Sequence, residues 1–464
     1  MIQKKHIEYF LLSLLSFIPF IPEFGVIDII GIHFLYLAIT QGFISFYLIK
    51  SRRTELGTIS IIDNPILISF SLFLIFSIFS IFSAFNKTES LIEIFRLTTI
   101  FIALVNFYIL FKLDPTYKRS FFVIFLILLS IESLYIFSIF LENYSYENPP
   151  SRLREFQGFS YNQNIGAFSI LIKLPIAIYV VLKSKNRLLK TVIILLICIT
   201  FFNIIIIGSR AAIIMSYFLF LSLLFLSIIP KRFFSFISKQ TLLILLIAIV
   251  VTGISQNALY KNRQELQSIE RISNFAGEFS FNYRLANYTE ALQGISEKPI
   301  LGYGIGNWKI FSIKYAKSRI EGYTVPYHVH NDFLHIGAEI GLIGLIVYLL
   351  IFIVPSLILM NLFLYNDKNR LLYFFLLLSI VVYSADAMVN FPRARAYSQM
   401  NFIYLLSYYS SSLLTDNKFD LKLKTISTFA LFLIVPITFL NTKYLFSLRE
   451  GYFLHADFNT NSTK

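Results

Sequence analysis

Apolar runs about 20 residues long recur along this sequence from residue 7 to residue 441, and no other feature constrains the fold as tightly. A helix of roughly 20 residues spans the ~30 Å hydrocarbon core of a bilayer and satisfies its own backbone hydrogen bonds there, as lipid demands. Only 14% of the residues are charged and 56% are hydrophobic, whereas a soluble domain carries about 25% charged residues. Helices are expected over residues 7–22, 26–49, 64–84, 91–111, 120–141, 165–182, 189–207, 210–229, 240–256, 340–363, 371–389, 396–414 and 425–441. The first run follows Lys4 and Lys5 without a small-residue cleavage site, so it reads as a retained helix rather than a signal peptide. The expected fold is an all-α integral membrane protein with about 12–13 transmembrane helices.

The net charge of +14 does not point to nucleic acid, because most basic residues sit in short loops between apolar runs, where they orient the helices. With a cytoplasmic N-terminus, the inner loops carry Lys50, Arg52, Arg53, Lys112, Lys118, Arg119, Lys183, Lys185, Arg187, Lys190, Lys231, Arg232 and Lys239. The short outer loops carry only Lys87, Arg152, Arg154, Arg210, Arg393 and Arg395. This bias places the long segment 257–339 outside, which in a bacterium is the periplasmic face of the inner membrane. Four regions follow: an N-terminal transmembrane bundle over 1–256, a periplasmic loop region over 257–339, C-terminal transmembrane helices over 340–441 and a short periplasmic tail over 442–464.

Polar groups concentrate where the outer segment re-enters the apolar region. Three of the six histidines, His328, His330 and His335, lie here beside Asn331 and Asp332. A neutral imidazole can take a proton from an attacking hydroxyl near neutral pH. The same cluster can be read as a metal site from His328, His330, Asp332 and His335. Spacing does not separate the two readings: a helix groups His328, Asp332 and His335, while an extended chain pairs His328 with His330.

Arg210, in Ile207-Gly208-Ser209-Arg210, stands between two apolar runs with almost no loop, and a charge at that depth is costly unless paired or functional. Ser209 is placed to cap the next helix, whose N-terminus favours an anion, and a guanidinium grips phosphate oxygens in a bidentate way. Arg284 lies on an expected amphipathic helix, and Gln256 to Arg271 is also expected to be helical. Asp386, Arg393 and Arg395 mark another outer helix end, as anion contacts or as a capped turn. Gly302, Gly304 and Gly306 have no strand before them and no Lys-Ser/Thr after them, so they read as a tight turn rather than a phosphate loop. Within the membrane Arg96 and Glu132 are expected to pair, and Lys173 to snorkel. The single cysteine, Cys198, excludes a disulfide within the chain.

Four patches in order resemble the bacterial O-antigen ligase and polymerase superfamily. They are Gly158 to Ala167; Gly208-Ser209-Arg210-Ala211; Arg284 to Asn307 with Lys298-Pro299-Ile300-Leu301-Gly302; and His328-Val329-His330-Asn331 running through Glu339-Ile340-Gly341-Leu342-Ile343-Gly344. The resemblance implies a GT-C-like membrane glycosyltransferase with one large periplasmic loop. It would move a glycan from a polyprenyl-pyrophosphate carrier to a hydroxyl on a glycan, lipid or protein acceptor, with inversion and without nucleotide, metal or other cofactor. His330 matches the family's proposed catalytic histidine. Arg210 and Arg284 match the arginines proposed to bind the carrier pyrophosphate. His328, Asn331, Glu339 and Arg393 are the further expected substrate contacts. Lipopolysaccharide ligation is the first expectation; O-antigen or exopolysaccharide polymerisation and protein O-glycan ligation share its donor chemistry. A transporter or flippase accounts for the helices but not for the His-x-His-Asn loop end.

Overall fold

The computed structural model describes residues 2–22, 28–50, 58–60, 63–113, 117–144, 156, 158–160, 162–228, 245–247, 249–250, 254, 279–315, 325–365, 369–413 and 420–461. These residues are almost wholly helical. In chain order they form α1 (Ile2–Ser13), α2 (Ile29–Lys50), α3 (Pro65–Phe79), α4 (Lys87–Leu113), α5 (Tyr117–Tyr144), α6 (Gln163–Leu171), α7 (Leu174–Lys183) and α8 (Arg187–Ile207). There follow α9 (Arg210–Ile228), α10 (Phe279–Glu297), α11 (Trp308–Tyr315), α12 (Asp332–Tyr365), α13 (Arg370–Val389), α14 (Ala396–Ser410) and α15 (Leu423–Asn461). A small antiparallel ribbon pairs β1 (Thr58–Ser60) with β2 (Asp420–Lys422).

Among the described residues nine helices are long and apolar enough to cross a membrane, which makes this the expected multi-pass helical protein. The other expected spans have separate explanations. The 7–22 run breaks into α1 and a 3₁₀ turn, Leu14–Phe20, around Pro19, because proline cannot donate the helical hydrogen bond. Of 210–229, Arg210–Ile228 forms the shorter apolar helix α9. Most of 240–256, and all of 257–271, lie outside the described residues. The 396–414 run is the 15-residue helix α14, with every residue buried. Its polar side chains, among them Gln399, Asn401 and Ser407, are tolerated because protein rather than lipid surrounds them. The last helix continues to Asn461, so most of the expected tail prolongs α15.

Helix faces sort by environment. Along α12, Leu342, Ile346, Ile353, Leu357, Met360 and Leu364 are exposed at helical spacing. The opposite stripe, including Gly344, Val347, Tyr348, Ile351, Phe352 and Leu359, is buried against α3 and α13. An apolar surface stripe this long suits lipid, not water.

Two intramembrane expectations are corrected. Arg96 pairs with Asp28 (2.8 Å) and Glu93 (2.8 Å), not with Glu132. Glu132 instead accepts from Lys173 at 2.6 Å, and Lys173 is fully buried rather than snorkelling. The reason is a break between α6 and α7. Lys173 sits in that break, where its Nζ also reaches the Ser169 carbonyl at 2.7 Å, and Ser169 and Tyr397 donate to the same carboxylate. A buried charge is tolerable when it is paired and hydrogen-bonded in this way.

Helix α12 is also broken. Gly341 has φ 81° and ψ −175°, which separates a short entry helix, Asp332 to Ile340, from the long span. The loop from Pro299 to Gly306 fits into the break: Leu342 donates its N–H to the Pro299 carbonyl (2.7 Å) and Gly304 to the Glu339 carbonyl (2.7 Å). A Cβ on Gly341 would lie 2.2 Å from the Ile300 oxygen, and one on Gly302 2.5 Å from the Glu339 backbone. The glycine-rich run is therefore a turn that locks the outer segment onto the membrane bundle through backbone contact.

Candidate active site

The entry helix of α12 carries the histidine segment at its start. Asn331 caps it, its Oδ1 accepting from the Leu334 N–H at 3.0 Å. One turn apart on this helix, His335 Nε2 lies 3.2 Å from Glu339 Oε1. The same oxygen accepts the Trp308 N–H at 2.9 Å. The other carboxylate oxygen faces Arg393, whose guanidinium is 3.7 Å from Glu339 and 3.5 Å from Glu93. The Arg393 N–H donates to Asp332 at 3.0 Å. Burial works against the Arg393 charge, yet Glu339 and Glu93 outweigh it and hold its pKa above the ordinary value. Asp28, Arg96, Glu93, Arg393 and Glu339 thus form a continuous chain of alternating charge, which meets the histidine segment at His335.

His330 stands above this layer. With φ 63°, it is the one non-glycine residue among the described residues in the left-handed region. That backbone strain is held by its surroundings, as at sites where a side chain must be aimed. Tyr288 on α10 donates to the His330 carbonyl at 2.9 Å. The Phe391 ring meets His330 edge-on at 5.0 Å and stacks on His328 at 4.0 Å. The His330 Nδ1 is enclosed without a hydrogen-bond partner. Burial, then the charge of Arg284, then that of His335, pull the imidazole down to about 4. His328 is lowered well below the ordinary value, first by burial and then by His335 and Arg395. Both rings are therefore neutral at physiological pH.

The two arginines singled out in the sequence come to the same place from distant parts of the chain. Arg284 lies on α10, and its pKa is lowered by burial and by the like charge of Arg210. Among the described residues no carboxylate lies within ion-pair distance of Arg284. Arg210 opens α9 after Gly208, whose left-handed conformation (φ 69°) ends α8. The expected Ser209 side-chain cap is not formed: its carbonyl accepts the first helical hydrogen bond, from the Ile213 N–H at 2.9 Å, but its hydroxyl is enclosed with no hydrogen-bond partner. Arg284, Arg210 and His330 thus share one field, while Asn331 caps the entry helix and Glu339 and Arg393 hold it through His335 and Asp332.

Among the described residues, no three His, Cys, Asp or Glu side chains are arranged to hold a metal ion. His335 is drawn to Glu339, and the turn at His330 separates its ring from that pair. Phe391, Tyr288 and Glu93 were not legible as partners of the site, since a single ring, hydroxyl or membrane carboxylate has no spacing signature.

A many-helix membrane bundle with basic and imidazole groups gathered at one helix entry defines a class: multi-pass membrane proteins with a polar site at the end of a span. Residues 193–349 match the family model described as O-antigen ligase. They include Arg210, Arg284, the histidine segment and Glu339. A Rickettsia conorii (strain ATCC VR-613 / Malish 7) protein named "Putative polysaccharide ligase" is 44% identical over 61 residues, which are 12% of this chain and 14% of that protein. The match therefore spans well under two thirds of the relative's length.

Proposed function

We propose that this protein transfers a glycan from a polyprenyl-pyrophosphate carrier to an acceptor hydroxyl at the periplasmic face of the bacterial inner membrane. The observation that carries this reading is the placement of Arg284, which feels the like charge of Arg210 and itself disfavours protonation of His330. A pyrophosphate bound by the arginines would set its glycosyl bond beside the imidazole.

The acceptor oxygen attacks the anomeric carbon as the bond from that carbon to the pyrophosphate oxygen breaks. The bonding electrons leave with the pyrophosphate, and the hydroxyl proton passes to His330. One displacement inverts the carbon. Arg210 and Arg284 meet the charge that develops on the leaving group. In the free protein His330 is neutral but a weak base, because Arg284 and burial disfavour its protonated form. Pyrophosphate would offset the Arg284 charge and raise the basicity of the imidazole, so the base strengthens when donor is in place. Glu339, Arg393 and Asn331 hold the histidine segment at the right height, and His328 keeps Phe391 stacked behind it.

The test is transfer by the purified protein, given a lipid-linked glycan and candidate lipid, glycan and protein acceptors. Product on a separate acceptor supports ligation; glycan lengthened on its own carrier means polymerisation; neither product overturns the reading.

A further inference from the structure

Besides Arg284, a second cation near the site stands outside the ion pairs of the described residues. Arg393 and Arg96 share the carboxylates of Glu339, Glu93 and Asp28. Arg395, two residues on, has no carboxylate within ion-pair distance among the described residues. Its backbone is fixed on both sides. Its N–H donates to the Pro392 carbonyl at 3.1 Å, and its own carbonyl accepts from Gln399 at 3.0 Å. The guanidinium lies 5.6 Å from the centre of the Phe391 ring, and its Nε is enclosed with no hydrogen-bond acceptor. That same ring stacks on His328 and meets the edge of His330. Arg395 is thus tied through one aromatic side chain to both histidines.

A half-buried guanidinium without an acceptor for Nε is costly, because a charge removed from water needs a hydrogen-bonded counterpart. Asp28 favours the Arg395 charge from a distance, but its carboxylate is already bound to Arg96. The fork geometry of a guanidinium suits a phosphate or carboxylate. We propose that Arg395 forms a second oxyanion-binding position beside His328, apart from the Arg210–Arg284 pair, and that it takes a phosphate or carboxylate group of the substrate. The identity of that substrate rests on the glycan-transfer reading; the anion site itself does not.

The experiment uses the full-length protein in detergent, with Arg395→Gln and Arg395→Lys compared against wild type. Initial rates are measured with a lipid-linked glycan donor and two acceptors, one neutral and one bearing a phosphate or carboxylate. Arg395→Gln is expected to raise KM about tenfold or more for the group that carries the anion, the loss expected for a charged hydrogen bond. Arg395→Lys should recover part of it. A rise confined to the anionic acceptor assigns the position to the acceptor, and a rise in donor KM assigns it to the carrier pyrophosphate. Unchanged KM values for both substrates in a correctly folded Arg395→Gln protein would overturn the proposal. A second readout is independent of turnover: inorganic phosphate should stabilise wild type against heat more than Arg395→Gln, and equal stabilisation of both would overturn the site. Wild-type protein that transfers no glycan yet loses phosphate stabilisation on Arg395→Gln would sink the transfer reading and leave the anion site standing.

Discussion

At the scale of single residues, the proposed transfer turns on the charge state of His330. Its imidazole is held at about 4 by burial and by Arg284, so the base is deprotonated across the neutral range. The kcat/KM of the free protein should then be flat down to about pH 5 with respect to this group, and fall only as the pH passes through about 4. Arg284→Gln removes a positive charge from beside the ring, so the acid limb of the residual activity should move upward, toward the ordinary histidine range. A limb that stays in place would mean that Arg284 does not face His330 during turnover. Changing Arg284 or Arg210 to Ala should also abolish most activity, with Lys restoring only part of it, because Lys lacks the bidentate fork. Kinetics on variants that reach the membrane in normal amount would check this. These residues were legible because their types are informative in a membrane context: imidazoles at a helix entry and arginines between apolar runs. Ser209 does stand at the entry of α9, but the sequence does not give its side-chain rotamer, and the hydroxyl is turned away from the helix N–H groups.

At the scale of elements, two broken helices organise the molecule. The Gly341 break lets the Pro299–Gly306 loop lock onto α12. Gly341→Ala forces a Cβ to within 2.2 Å of the Ile300 oxygen at a φ of 81°, a backbone cost of about 1–2 kcal/mol before the clash is counted. It should lower the thermal midpoint and disable transfer together; a variant as stable as wild type would contradict the interlock. The second break, at Lys173, is stabilised by Glu132. Removing one partner of a buried pair costs about 3–5 kcal/mol, while replacing both can be close to neutral. Lys173→Met should therefore reduce folded yield more than Lys173→Met combined with Glu132→Gln, as size-exclusion profiles would report. Nine of the spans were legible from apolar length alone, whereas the 7–22 and 396–414 runs were not, because apolar length does not show a break at proline or a helix enclosed by protein. Partner choice was not, because spans give no helix rotation: Arg96 and Glu132 lie on neighbouring helices but face different neighbours.

At the scale of the whole molecule, the positive-inside bias predicts the orientation of the bundle, and the proposed transfer needs the histidine segment on the exporting side. Reporter fusions at Ser268 and after Lys464 should both report export; a cytoplasmic signal at Ser268 would invert the orientation. The central claim is that His330 is the base of a glycan transfer whose leaving pyrophosphate is met by arginine. The most direct measurement is single-turnover transfer by purified wild type and His330→Ala, with lipid-linked glycan bound beforehand and with or without EDTA. The account predicts that His330→Ala binds donor normally, transfers about 10²–10⁴-fold more slowly, and that wild-type turnover is indifferent to the chelator. Wild-type rates from His330→Ala, or wild-type activity that EDTA removes and a divalent ion restores, would contradict it.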